Sequence, residues 1–297
     1  MKQIAIIGPT ASGKSDLSIK LAKNIDAYIL SLDSLSVYKE IDIASAKPTI
    51  AERDGVRHFG IDLLFPDQNF DVTLYIKIYH ECYQAAKNDG KNLIIVGGTS
   101  FYLKVLIDGI SELPNIDTVT KSKTADSLRD LDQSYKMLQK IDPEYMNHIE
   151  PNDKYRIEKA LNIYYQTSST PSEYFASNPP IPTIKEPLPI FNIDIDRAKL
   201  RERIFKRTVK MIDEGLIDEV AMLERKYTRS PNSMKAIGIA ETLDHIDGKY
   251  SIESLIEKIS INTARLAKRQ NTFNGSQFDI IQKDSAKNIE SKVLSMF

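Results

Sequence analysis

Gly8-Pro9-Thr10-Ala11-Ser12-Gly13-Lys14-Ser15, GPTASGKS, fits the pattern G-x-x-x-x-G-K-[ST] at every position. Its flanks agree with it. Lys2 to Ile7 reads as a short buried strand, and Asp16 to Ile25 carries Ile19, Leu21, Ala22 and Ile25 at helical spacing. Between a strand and a helix, the glycines let consecutive backbone N–H groups turn inward around phosphate oxygens. The helix start they lead into already favours an anion through its dipole. Lys14 adds a point charge there, and the Ser15 hydroxyl is placed to ligate Mg²⁺. A glycine-rich helix start without a ligand is the bland alternative, and motif and flanks together weigh against it.

Outward from this loop the strand-and-helix alternation continues. Ala27 to Leu32 is a second apolar run, ending in Asp33-Ser34; Asp71 to Asn88 has a helical pattern; Asn92 to Val96 is a third buried strand, closed by Gly97-Gly98-Thr99. Short, continuously apolar strands separated by helices predict a P-loop NTPase-like α/β fold: a parallel sheet covered on both faces by helices. After Pro114 the character changes. Ile116 to Gln166 is polar and helical in pattern, and Pro171 to Pro189 holds six prolines, which reads as an extended connector. Leu188 to Ile193 returns to a strand pattern, and Arg197 to Tyr227 reads as one long helix. The expected organisation is therefore a core begun by residues 1–114, a mostly helical insertion domain over 115–187, and a core completed by 188–297.

Composition sets bounds on function. The 297 residues are 41% hydrophobic and 27% charged, enough for a real core and unlike a disordered chain. The single cysteine, Cys82, fits a reducing compartment. The opening MKQIAIIG has too short an apolar stretch for a signal peptide, and no apolar run approaches the ~20 residues of a membrane helix. A cytoplasmic, monomeric protein with no membrane partner is expected. His58, His80, His148 and His245 show no metal-ligand spacing, so zinc is not expected. The net charge of −1 leaves the question of a polyanionic partner to local clusters. Lys199, Arg203, Lys206 and Lys210 share one helical face bordered by Arg207, and Arg265, Lys268 and Arg269 repeat the pattern near the C-terminus. Either face suits nucleic-acid phosphates or is simply solvated.

A phosphate cradle does not name a reaction. Most enzymes with this loop act on the γ-phosphate of a nucleotide and hold Mg²⁺ with an acid at the end of a second buried strand. Here Leu93-Ile94-Ile95-Val96 runs into Gly97-Gly98-Thr99 and no carboxylate follows until Asp108. Asp33 instead emerges at the carboxyl edge of the second strand, where α/β folds bind ligands. Beside a diphosphate it is placed to take a proton from a nucleophile. It also reads as the N-cap of a helix over Leu35 to Ile41. A small-molecule or nucleotide kinase and a non-catalytic binding module that senses ligand through its P-loop remain open on these residues.

Seven stretches spread over the chain then carry a resemblance to the tRNA dimethylallyltransferases: GPTASGKS (8–15), LDSLSVYKEIDIASAKP (32–48), VGGTSFYLKVL (96–106), PNDKYRIEKAL (151–161), RIFKRTVKMIDEGLIDEV (203–220), KAIGIAE (235–241) and TARLAKRQNTF (263–273). The resemblance is to bacterial-type members, without the Cys/His zinc module of eukaryotic ones. It implies transfer of a dimethylallyl group from dimethylallyl diphosphate to the exocyclic N6 of the adenosine beside the anticodon. The donor's diphosphate would then sit in the loop Gly8, Pro9, Thr10, Ala11, Ser12, Gly13, Lys14 and Ser15, with Mg²⁺ on Ser15. Asp33 corresponds to the base, with Lys14 and Thr99 also catalytic, and Arg203 and Arg207 are candidates for the diphosphate side. The anticodon stem-loop of tRNA would meet Asp33, Ser34, Leu35, Ser36 and Thr99, then Lys121, and then Tyr155, Arg156, Ile157, Glu158 and Lys159. Ser36, Ser45, Ile239-Ala240 and Phe273-Asn274-Gly275 depart from the family pattern.

Overall fold

The computed structural model describes residues 1–278 and 281–297. Strands β1 (Gln3–Ile7), β2 (Ala27–Leu32), β3 (His58–Phe59), β4 (Asn92–Gly97), β5 (Ile190–Ile193) and β6 (Gln282–Asp284) form one parallel sheet in the order β3-β2-β4-β1-β5-β6. Ile4 lies opposite Ile94 and Ile7 opposite Gly97. The α/β class read from the apolar runs is the observed one.

Pleating explains how both faces are used. Ile4, Ile6, Ile29, Ile94, Val96 and Phe191 point to one face and pack with Leu17 and Leu21 of α1 (Lys14–Asn24), and with Ile289 and Val293 near the C-terminus. The intervening Ala5, Ile7, Leu30, Leu32, Leu93 and Ile95 are fully buried on the other face, over which α2 (Val72–Asn88) lies. At roughly 25 cal/mol per Å² of apolar area, this two-sided burial is the main source of stability for the platform.

By compactness the chain divides into Met1–Leu106 with Ile184–Phe297, and Ile107–Thr183. The first unit adds α9 (Arg197–Asp213), α10 (Leu216–Tyr227), α11 (Ile239–Ile246), α12 (Ile252–Gln277) and α13 (Ala286–Leu294). Its first part ends within α3 (Ser100–Asp108), and between the two parts lie α4 (Thr118–Ser127), α5 (Leu131–Ile141), α6 (Pro143–Met146), α7 (Lys154–Thr167) and α8 (Pro171–Ser177). The second unit has its own core of Leu138, Met146, Ile149, Ile157, Ala160 and Leu161.

Three local expectations are corrected. Arg197 to Tyr227 is not one helix: Gly215, at φ 100°, takes a left-handed conformation that ends α9 and starts α10. Pro171 begins α8 instead of an extended connector. Its missing N–H is harmless at the first helical position, and Thr170 and Glu173 close a capping box around it. Leu35 to Ile41 is a series of turns, because its backbone groups are taken elsewhere. Asp62 N donates to Ser36 O, Leu63 N to Val37 O and Lys39 N to Leu64 O. Asp33 accordingly caps no helix; its Oδ1 closes a turn with Leu35 N at 2.8 Å and Ser36 N at 3.2 Å.

The β2–β4 pairing leaves no room at its end. A Cβ on Gly97 would lie 2.5 Å from Leu32 O and 2.6 Å from Leu32 Cβ. Gly97→Ala is expected to lower stability by about 2–3 kcal/mol through overpacking, measured as a lower urea midpoint at unchanged slope. A midpoint equal to that of the parent would contradict this reading of the close approach.

Candidate active site

The loop 8–15 leaves β1 and enters α1 through Gly13, whose φ of 93° no side chain adopts cheaply. Lys14 is buried and its Nζ donates to Pro9 O at 2.6 Å. Burial, with the neighbouring Arg207 charge adding to it and Asp33 opposing it, pulls the Lys14 ammonium down to about 7. Ser12 is 3% exposed and its Oγ has no hydrogen-bond partner in the protein. Such an orphan costs about 1–3 kcal/mol, which a phosphate oxygen in the loop would offset.

Two helices reach this loop from far along the chain. From α9, Arg203 Nη1 donates to Ser12 O at 3.2 Å and Arg207 Nη1 to Thr10 Oγ1 at 3.3 Å. The two are four residues apart, so one helix face delivers both guanidinium groups. Burial lowers Arg207 as well, and Asp33 is the charge that opposes the shift. The rest of that face behaves differently. Lys206 pairs with Glu202 at 2.6 Å and Lys210 with Glu214 at 3.3 Å, both exposed.

From α12, Gln270 Oε1 accepts from Thr10 N at 2.8 Å while its Nε2 donates to Gly98 O at 3.1 Å. Gln270 thus ties the phosphate loop to the turn after β4, which carries Thr99. Reading of the sequence missed it. The available signal was its place on the stripe Ala267, Gln270, Asn274, where Ala267 and Asn274 are buried.

Asp33 is half-buried at the carboxyl end of β2, and its charge is felt by Lys14, Arg207 and Tyr102. Thr99 is half-buried beside it, its N–H donating to Leu32 O at 2.9 Å. Ser34 is exposed, Leu35 half-buried and Ser36 buried. The loop therefore gathers Lys14, Arg203 and Arg207, with the carboxylate of Asp33 near enough to act on Lys14 and Arg207. Positive charge gathered around the orphaned Ser12 hydroxyl, with a carboxylate nearby, is an arrangement that suits an anion.

In the second unit, Lys121, Arg129, Lys154, Glu158 and Lys159 line a concavity of about 660 Å³. Tyr155 is 68% exposed, with Lys159 Nζ 5.4 Å from its ring centre, and Arg156 pairs with Asp153 at 3.4 Å. Ile157 is turned into the core of the unit. On α12, Arg265, Lys268 and Arg269 line a second basic concavity with Thr272 and Phe273.

Residues 36–277 match the family model described as IPP transferase. A tRNA dimethylallyltransferase of Sulfurovum sp. is 57% identical over 99% of this chain and 98% of its own length. That of Sulfurimonas denitrificans is 57% identical over 99% of each. Among solved structures, the full-length tRNA isopentenylpyrophosphate transferase from Bacillus halodurans superposes with a TM-score of 0.72 at 29% identity, covering 99% of this chain and 95% of that one. A eukaryotic dimethylallyltransferase described as acting on tRNA gives 0.81 at 26% identity, covering 100% and 77%.

Replacing Arg207 by Ala removes one charge-assisted donor set from the loop. Inorganic diphosphate is expected to bind roughly 10- to 100-fold more weakly to this variant by calorimetry. An unchanged affinity would take Arg207 out of the anion site.

Proposed function

The chain belongs to the family of tRNA dimethylallyltransferases, and from that premise we propose that it prenylates tRNA with dimethylallyl diphosphate, at the exocyclic N6 of the adenosine beside the anticodon. One observation carries the assignment of roles. Lys14, Arg203 and Arg207 converge on one loop, and Asp33, at the end of β2, lies close enough for its charge to act on Lys14 and Arg207.

The chemistry follows from where the charges sit. The allylic C–O bond to diphosphate breaks with its electron pair going to the leaving group, and the carbon left behind is stabilised by delocalisation. Lys14, the arginines and the loop N–H groups meet the negative charge that develops on the diphosphate, and they are already oriented before it develops. The adenine amine is a weak nucleophile. As its nitrogen bonds to the allylic carbon, its proton passes to Asp33. Thr99, fixed by Leu32 and by the Gln270 link to Gly98, borders the same space. The adenine reaches it only by leaving its stack, at a cost of a few kcal/mol.

The site also fits a magnesium ion. Among the described residues there is no cluster of three acidic, histidine or cysteine ligands, whereas Ser15 lies exposed in the first turn of α1. Mg²⁺ takes few protein ligands and completes its octahedron with phosphate oxygens and water, so Ser15 Oγ and the diphosphate would hold it. When bound it adds charge stabilisation to the leaving group. The basic concavities lined by Lys121, Lys154 and Lys159 and by Arg265, Lys268 and Arg269 suit tRNA phosphates, with Tyr155 offering a stacking surface. The kinase alternative finds no support: the relatives are prenyltransferases, and Gly98 O after β4 is occupied by a neutral amide.

Purified protein, unmodified tRNA, Mg²⁺ and radiolabelled dimethylallyl diphosphate test this directly. Label is expected in tRNA; consumption of ATP without labelling would favour a kinase. Asp33→Ala is expected to slow single-turnover transfer by roughly 10²- to 10⁴-fold with tRNA affinity nearly intact. Wild-type single-turnover rates in that variant would remove Asp33 as the base.

A further inference from the structure

The segment that carries Asp33 runs from β2 to β3 without a helix or strand of its own. Three consecutive backbone N–H groups within it point at one side chain. Glu219 of α10 accepts from Asp42 N at 3.0 Å and Ile43 N at 2.7 Å through Oε2, and from Ala44 N at 2.9 Å through Oε1. Glu219 is 9% exposed, so its carboxylate is held almost entirely by these donors. Successive N–H groups converging on an anion form a concave nest, which here is filled from within the chain.

The surroundings reinforce the same attachment. Lys47, whose side chain is 5% exposed, donates to Tyr38 O at 2.9 Å and pairs with Asp42 at 2.6 Å and with Asp62. Ser45 Oγ donates to Ile41 O at 2.6 Å. Val37, Tyr38, Ile41 and Ala44 share a core with Leu216, Val220 and Leu223 of α10 and Met211 of α9. The segment is thus fastened through α10. Through the Gly215 turn, α10 continues α9, whose Arg203 and Arg207 grip the phosphate loop. One bent helical pair holds the anion side of the site at one end and the segment following Asp33 at the other.

We propose that Glu219 is a positioning residue for prenyl transfer: by gripping the 42–44 backbone it sets Asp33 relative to the diphosphate held by Arg203 and Arg207. The inference rests on the functional reading above. Glu219 touches neither substrate and acts through the segment. Its loss leaves the donor cradle built and the base mispositioned, so it lowers the rate from the bound state without lowering donor affinity.

Glu219→Gln separates these effects, because the neutral amide cannot serve three donors and turns its own NH₂ toward one of them. With tRNA and donor saturating, single-turnover transfer is expected to fall roughly 10- to 100-fold, with inorganic diphosphate affinity within about twofold of wild type. The amides of residues 42–44 are expected to exchange faster with solvent while α1 and β1 keep their protection. Glu219→Asp keeps the charge on a shorter arm and is expected to recover part of the rate; it also serves as the test if the Gln variant does not melt cooperatively. A rate within about threefold of wild type, unaltered exchange at 42–44, or diphosphate affinity falling in step with the rate would overturn the inference. Loss of cooperative melting in both variants would do so too, assigning Glu219 to stability alone. A wild-type protein that puts no label into tRNA would instead refute the functional reading, and the exchange result stands apart from it.

Discussion

Lys14 and Arg207 are like charges desolvated beside one phosphate loop, and the carboxylate of Asp33 acts against the cost on both. Burial first, and the Arg207 charge second, pull the Lys14 ammonium down to about 7. In the proposed reaction a bound diphosphate would relieve this burial cost and accept from the orphaned Ser12 hydroxyl and from Lys14, which in its absence donates to Pro9 O. As the allylic bond breaks, the leaving group becomes more negative and is held more tightly still. On the proposed reading the site would suit the charge distribution of the transition state better than that of the bound donor, and that difference would lower the barrier.

Such an arrangement must be enforced by parts of the chain that have other reasons to stay put. The sheet supplies the platform, buried on both faces, and its carboxyl edge presents the phosphate loop, Asp33 and Thr99 side by side. Helices α9 and α12 then close on the loop from residues more than 170 positions away. Their own packing, through Leu200, Ile204 and Ala267, makes the arginines and Gln270 a fixed wall. Neutral Gln270 satisfies Thr10 N and Gly98 O without adding charge to a crowded field.

How much of this was legible followed from how local each signal is. The phosphate loop and strands β1, β2 and β4 were visible because a buried parallel strand is a continuous apolar run. Helical spacing marked the basic face of Lys199, Arg203, Lys206 and Lys210 with Arg207 at its border, and the family resemblance singled out the two arginines. Strand β3 has two residues and β6 reads Gln-Lys-Asp, so neither carries an apolar pattern; both are edge strands, which need none. The break at Gly215 and the helix begun by Pro171 turned on a single backbone angle and a single cap. Glu219 and Gln270 were invisible for a different reason. Each is one ordinary polar residue whose partners lie on distant backbone, and no local spacing records a contact with an N–H group across the fold.

The central claim is geometric: a carbon-borne diphosphate lies over Gly13 and Lys14 with its allylic carbon turned toward Asp33. A crystal structure with an unreactive analogue of dimethylallyl diphosphate measures that directly. Phosphate oxygens are expected within hydrogen-bond reach of Lys14, Arg203, Arg207 and Ser12 Oγ, with the isoprenoid tail leaving the loop on the Asp33 side. Diphosphate bound elsewhere, or a tail directed away from an Asp33 that faces bulk water, would contradict it.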